Sequence, residues 1–166
     1  MFVYHTTKAT VETSAAVGFT TNGVANTLST HMRYATVSPR PCNIQALYII
    51  GRGAGLTAIS GIAIKVVRAG TIGSGGTAAV PRPRDAGQQA AVTTPFSDTT
   101  AITAGVTPTL SLVIGCGAAG PGGWVAPNPD SVISLATAGA ANGNAEIGST
   151  SGTISLGFEL GVEHWE

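Results

Sequence analysis

The chain has 166 residues, of which 10% are charged, and its eight basic and eight acidic side chains cancel to a formal net charge of zero. A length below about 200 residues predicts one domain, and 23 glycines and 9 prolines disfavour long helices. Neutrality excludes the positive footprint of proteins that grip nucleic-acid phosphates or anionic lipids, and it favours association with other protein surfaces.

The sequence predicts neither export nor a membrane partner. The N-terminus lacks the basic start and apolar run of a signal peptide. The densest apolar runs are far shorter than the roughly 20 residues that a membrane helix needs. The spacing of Cys42 and Cys116 leaves a disulfide open. Without an export signal, two reduced thiols are the favoured interpretation.

Strands are predicted along the whole chain, because runs of β-branched and apolar residues end at Gly or Pro. In chain order these runs are 8–13, 15–20, 32–38, 43–50, 59–68, 77–84, 99–103, 109–114, 131–137 and 153–160, with a short extra run at Trp124 and Val125. The run 77–84 contains two prolines, which cannot donate to a ladder, so it is predicted to be an edge strand or a polyproline segment. Segments 115–123 and 138–152 are rich in small residues and are predicted to be loops.

This pattern of short strands without a helical period predicts an all-β fold. We expect a two-sheet sandwich of jelly-roll type with roughly eight to ten antiparallel strands. An immunoglobulin-like sandwich is the nearest competitor. Its cysteine–tryptophan–cysteine order is absent, since Trp124 follows both cysteines.

No motif in the chain predicts catalysis, a cofactor or a metal ion. Residues 115–120 match the spacing GxGxxG, but Pro121 follows at once and leaves no room for the helix that a dinucleotide site requires. The histidines His5, His31 and His164 are isolated and lack the spacing of metal ligands. The chain also has no GxSxG nucleophile turn. The acidic residues in turn-like contexts are expected to bond their own backbone.

Arg82 and Arg84 form the one compact basic cluster, within Pro81–Arg82–Pro83–Arg84. Two interpretations have equal weight. The cluster is either a solvated edge whose prolines and charges block aggregation, or a rigid docking segment that presents guanidinium groups to an acidic partner. Trp124 and Trp165 are predicted to be buried in the core or in an interface, in preference to stacking on sugars.

From Cys42 onward, four stretches form a recognisable set: CNIQALYI at 42–49, IAIKVVR at 62–68, GGTAAVPRP at 75–83 and the terminal EHWE. On these stretches the chain resembles a family of small structural proteins of tailed bacteriophages and prophages. The resemblance implies a jelly-roll decoration or cement protein on the outer surface of a phage head. It further implies a homotrimer bound to the major capsid protein, and it carries no catalytic residues.

Residues 1–41 lie outside the resemblance and are expected to form an extended N-terminal arm with the first strands, ahead of a jelly-roll domain at 42–166. Phe2, Val3 and Tyr4 in the arm are one predicted contact with the capsid or a neighbouring subunit, and Arg82 and Arg84 are the other. Two alternatives stay open: a head- or tail-fibre module that binds host glycan, and a small jelly-roll major capsid protein.

Overall fold

The computed structural model describes residues 2–9, 30–35, 41–52, 62–69, 75–97, 108–116, 121–135, 144–149 and 157–166. These residues form β-strands and one 3-10 turn at Pro129–Ser131. The strands are β1 (Val3–Ala9), β2 (Thr30–Ala35), β3 (Cys42–Arg52), β4 (Ile62–Ala69), β5 (Thr77–Ala78), β6 (Arg82–Pro83), β7 (Phe96–Ser97), β8 (Pro108–Cys116), β9 (Gly122–Val125), β10 (Ile133–Leu135), β11 (Asn144–Ser149) and β12 (Gly157–Trp165).

The strands pair into two antiparallel sheets. The first sheet has the order β10-β3-β12-β1-β6, with β9 pairing β3 as well, and the second has the order β5-β7-β2-β11-β4-β8. Buried side chains from both sheets form one core, among them Ile44, Leu47 and Val162 from the first and Met32 and Ile147 from the second. The predicted all-β, two-sheet sandwich is therefore confirmed.

Strict alternation in β12 explains how one strand serves both the core and the surface. Leu160, Val162 and His164 are buried, whereas Glu163 and Trp165 between and beyond them are partly exposed. Since successive side chains of a strand point to opposite faces, the first three face the core and the other two face outward. The pairing of β12 with β3 and β1 makes it the central strand of the first sheet.

A β-bulge interrupts the pairing of β3 with β12. Glu163 lies opposite Ala46, while His164 lies opposite Ile44, so Gln45 is the extra residue of β3. The carbonyl of Gln45 instead accepts a hydrogen bond from the amide of Ala126 at 2.8 Å. Bulges of this kind re-aim side chains and are common beside functional sites.

Most of the strongly patterned runs are strands at the predicted places. The runs 43–50 and 109–114 correspond to β3 and β8, and the run 59–68 overlaps β4. The proline-containing run 77–84 supplies β5 at the edge of the second sheet and β6 at the edge of the first, which confirms the prediction of an edge strand. The runs 15–20 and 99–103 lie outside the described residues.

The predicted loop at 138–152 is wrong for residues 144–149, which form β11 near the centre of the second sheet. Ala145 and Ile147 face the core, but they alternate with the polar residues Asn144 and Glu146, which interrupt the apolar run by which a strand is predicted. Glu146 is buried opposite Arg33, whose guanidinium also lies 4.7 Å from the ring of Phe96. Burial lowers the pKa of Arg33, and the charge of Glu146 opposes that shift.

The predicted N-terminal arm is also wrong for residues 3–9. These residues form β1, which lies between β12 and β6 inside the first sheet. In the second sheet, β2 lies between β7 and β11. The described strands before residue 41 therefore belong to the same sandwich as the rest of the chain. Hydrogen bonds to their partner strands satisfy their backbone groups.

Candidate functional site

The outer face of the first sheet gathers side chains from three neighbouring strands, β6, β1 and β12. Across the sheet, Arg82 lies opposite His5, and His5 lies opposite Glu163. In the next row, Val3 lies opposite Trp165, and the amide of Arg84 donates to the carbonyl of Val3 at 2.9 Å. Directly opposed residues of antiparallel strands share a face of the sheet, so these side chains form one continuous outer face.

This arrangement brings together three of the five contact residues predicted from the sequence. Arg82 and Arg84 are exposed, and Val3 is half-buried next to Arg84. The half-buried Phe2 is tied to the other end of the chain, since its amide and carbonyl pair with those of Glu166. The two predicted contacts, at the N-terminus and at the arginines, are therefore neighbours on one sheet edge.

Tyr4 is the exception, and its predicted role as a capsid contact is wrong. Its side chain is fully buried, and its hydroxyl donates to the carbonyl of Gln89 at 2.9 Å. Alternation along β1 turns Tyr4 toward the core while Val3 and His5 face outward. A side chain that is enclosed in this way cannot reach a partner protein without unfolding β1.

An open groove of about 490 Å³ runs across the outer face. This volume lies within the range of about 300–1,000 Å³ that is typical of ligand pockets. Its apolar and aromatic lining includes Tyr48, Val125 and Trp165, and its polar lining includes Gln45, Asn128, Glu163 and Arg84. Two of its apolar side chains are exposed, with Tyr48 at 38% and Val125 at 59%, so apolar surface is open to solvent along the groove.

Glu163 and Gln45 form the polar centre of the groove. The Gln45 side-chain amide donates to Glu163 Oε2 at 3.4 Å, and His5 Nδ1 lies 3.8 Å from Glu163 Oε1. The bulge places Gln45 and Ala46 together in the lining of the groove, where a regular ladder would present only one of the two. The local irregularity of β3 therefore builds this centre.

The opposite, inner face of the first sheet carries a second polar cluster, centred on His164. The ring of His164 is fully buried between two tyrosines: it stacks on Tyr4 and meets Tyr34 edge-on, with centroid distances of 5.4 Å in both cases. Its Nε2 lies 3.7 Å from Glu166 Oε1, which is too long for a hydrogen bond. Burial lowers the pKa of His164 to about 4, although the charge of Glu166 acts to raise it.

Glu166 fastens the segment that crosses from the first sheet to the second. Its carboxylate accepts hydrogen bonds from the amides of Val92 at 2.9 Å and Thr93 at 2.6 Å. Burial alone would raise the pKa of Glu166, but the two amides, the Thr93 side chain and the charge of His164 together outweigh it, and the pKa is lowered. Together with the bond from Tyr4 to Gln89, this carboxylate holds the crossing segment against the core.

Cys42 is a buried free thiol, so it does not pair with Cys116. Burial raises the pKa of the Cys42 thiol to about 12. The thiolate is the reactive form of cysteine, and this environment suppresses it. The Cys42 thiol is therefore held in its protonated form within the core.

One sequence pattern, the alternation along β12, indicates both clusters, but the predicted strand is too short to include them. The predicted run 153–160 stops within β12, which continues to Trp165. Extending the alternation of Leu160 and Val162 by one step places His164 in the core and Glu163 and Trp165 on the outer face. Trp124 packs against the core, in line with its predicted burial.

No protein-family profile matches the chain, and no significant match exists among the curated proteins or the solved structures that were compared. Among the residues that the structure describes, no group of three or more His, Cys, Asp and Glu side chains is arranged to hold a metal ion. Within the same ranges, no helix has the length and apolar character to cross a bilayer.

Proposed function

We propose that the chain is a structural protein of a phage particle, which binds the outer surface of the capsid as a homotrimer and fastens neighbouring capsomers against internal pressure. The major capsid protein is its partner. The supporting observation is an exposed, tethered stretch at residues 79–84, which we call the edge segment.

The edge segment is anchored at both ends and accessible between them. The amide of Ala79 donates to the carbonyl of Pro95 at 2.8 Å, and the amide of Arg84 donates to the carbonyl of Val3. Between these anchors Arg82 is exposed, and Val80 is 78% exposed. The prolines at 81 and 83 fix their own φ angles.

This combination suits a protein partner. A preorganised segment loses less conformational entropy when it binds, and a guanidinium group pairs with carboxylates through two parallel hydrogen bonds. An exposed valine beside the arginines adds apolar area, and each 100 Å² of apolar surface that is buried contributes about 2.5 kcal/mol before the cost of association. Contacts that bridge two capsomers would raise the force needed to separate them.

Cosedimentation with capsids tests this proposal. Capsids assembled without the chain are mixed with purified chain, and the bound fraction is measured after centrifugation. We expect saturable binding of the unaltered chain and at least tenfold weaker binding of Arg82→Ala, which removes a charged anchor. Light scattering of the chain before mixing is expected to give three times the mass of one chain.

The control is Thr94→Asp at an exposed position outside the edge segment. Like Arg82→Ala it lowers the net charge by one, but it leaves both arginines in place, so it should bind like the unaltered chain. Absence of cosedimentation by the unaltered chain would refute capsid binding. Equal loss of binding in both variants would assign the effect to net charge and overturn the role of the edge segment.

A further inference from the structure

We propose that the groove on the outer face of the first sheet is a binding site for a neutral oligosaccharide. The proposal goes beyond capsid binding and does not depend on it, because the groove is lined mainly by β3, β9, β12 and the turn after β9. Arg84 is the one residue that belongs both to the lining of the groove and to the edge segment.

Two aromatic side chains occupy separate positions along the groove. Tyr48 lies opposite Gly161, and Trp165 lies four residues further along β12. At about 3.3 Å per residue, the two positions are roughly 13 Å apart. This distance matches a di- or trisaccharide, whose end sugars can each place their apolar C–H face on an aromatic ring.

Gly161 lets the ring of His5 lie close against β12, on the face that carries Tyr48. A Cβ at this position would lie 3.3 Å from the ring of His5 and 3.8 Å from the Cβ of Tyr48. The first distance is tighter than ordinary contact and the second is ordinary, so glycine makes room for the histidine ring on this face. Tyr48 itself lines the groove and is 38% exposed. An accessible ring is what stacking on a sugar requires.

The polar groups between the aromatic positions match sugar hydroxyls, which both donate and accept hydrogen bonds. The Glu163 carboxylate, whose side chain is 20% exposed, accepts hydrogen bonds. The Gln45 amide can do both, and Arg84 donates from the rim. Gln45 and Glu163 are already oriented by their mutual hydrogen bond and by the bulge, so less conformational freedom is lost on binding.

The charges favour a neutral ligand over a charged peptide. Glu163 and Arg84 both line the groove, and their opposite charges cancel. The groove therefore offers no net charge that would attract an acidic or a basic peptide. The hydroxyls of a neutral saccharide can donate to the carboxylate and accept from the guanidinium.

The experiment applies the full chain to an array of neutral oligosaccharides, acidic oligosaccharides and charged peptides, and then measures affinity for the best neutral sugar by calorimetric titration. We expect binding to neutral oligosaccharides. Tyr48→Ala should weaken it about tenfold through the loss of stacking, whereas Tyr48→Phe, which keeps the ring, should retain it. Glu163→Gln should also weaken binding, through the lost charge-assisted hydrogen bonds.

The control is Val80→Ser, which alters an exposed apolar side chain outside the groove and should bind sugar like the unaltered chain. Circular dichroism establishes that each variant is folded, and if Tyr48→Ala unfolds, Glu163→Gln carries the test. The proposal is overturned if no neutral sugar binds, if only acidic sugars or peptides bind, or if the folded groove variants bind normally. Cosedimentation with capsids is scored separately, so either proposal can fail alone.

Discussion

The two faces of the first sheet carry similar residue types but use them differently. Each has a histidine beside a glutamate: His164 and Glu166 on the inner face, His5 and Glu163 on the outer face. The inner side chains are fully enclosed, whereas the outer histidine and glutamate side chains are 42% and 20% exposed. Residue type alone therefore does not indicate a binding site, and enclosure decides what each pair can do.

The difference lies in what the carboxylates bond. Both carboxylate oxygens of Glu166 accept hydrogen bonds from backbone amides, those of Val92 and Thr93, and these bonds fix the crossing segment. Glu163 has a 3.4 Å bond from Gln45 and remains accessible from the groove. The inner pair therefore contributes to folding stability, and the outer pair is available to a ligand.

The largest expected effect separates two adjacent residues of β3. Leu47 is buried in the core and Tyr48 is exposed on the outer face. Leu47→Ala should lower the free energy of unfolding by about 3 kcal/mol, through lost burial and the cavity that remains. Tyr48→Ala should lower it by less than about 1 kcal/mol. Urea unfolding followed by circular dichroism measures both, and equal losses would contradict the assignment of the two faces.

The next effect is a dependence of stability on pH that originates on the inner face. The folded state holds the pKa of His164 at about 4, below its ordinary 6.5. Between these values the unfolded chain binds a proton that the folded chain does not, so stability is greatest above pH 6.5 and falls as the pH drops toward 4. The loss is on the order of 3 kcal/mol, and Glu166, with its lowered pKa, adds a further loss below about pH 4.5.

Urea unfolding at a series of pH values checks this, with His164→Gln as the variant. The variant should lose the slope between pH 6.5 and 4, whatever its absolute stability. His5→Gln provides the matched control for the removal of one histidine. An unchanged slope in His164→Gln would show that another group is responsible for the acid sensitivity.

The smallest effect compares the two glutamates directly. Glu166→Gln should lower the free energy of unfolding by about 2 kcal/mol, because the two amide hydrogen bonds lose their charged acceptor. Glu163→Gln should change it by less than about 0.5 kcal/mol, as is usual for substitutions on an accessible surface. Thermal unfolding of the two variants side by side gives the comparison, and a larger loss in Glu163→Gln would reverse the roles assigned to the two faces.

The strands that could be predicted from the sequence are those whose side chains follow a plain pattern. The run at 43–50 is rich in Ile, Leu and Tyr, and 77–84 carries prolines that restrict it to an edge. β11 could not be found in this way, because the buried Glu146 in its centre lies opposite Arg33 on β2, over a hundred residues earlier in the chain. The pattern of residues around Glu146 cannot reveal a partner that lies so far away in the chain.

The candidate site was only partly predictable for a similar reason. Arg82 and Arg84 stand out as a cluster between prolines, but their proximity to Val3 depends on the pairing of β6 with β1. The position of Gln45 depends on a bulge, and no feature of the residues around it specifies which strand receives the extra residue. Pairing between distant strands determines both, so both required the structure.

The bulge at Gln45 also fixes how β3 can be changed. Cys42 and Ile44 face the core on one side of it, and Leu47 and Ile49 face the core on the other. Deleting Gln45 would join the two halves in an unbroken period of two, with Cys42, Ile44, Leu47 and Ile49 all still facing the core. The strand therefore consists of two halves whose phase depends on the bulge: a deletion at position 45 keeps both apolar faces aligned, whereas a deletion within either half, such as at Asn43 or Tyr48, would turn buried side chains to the opposite face.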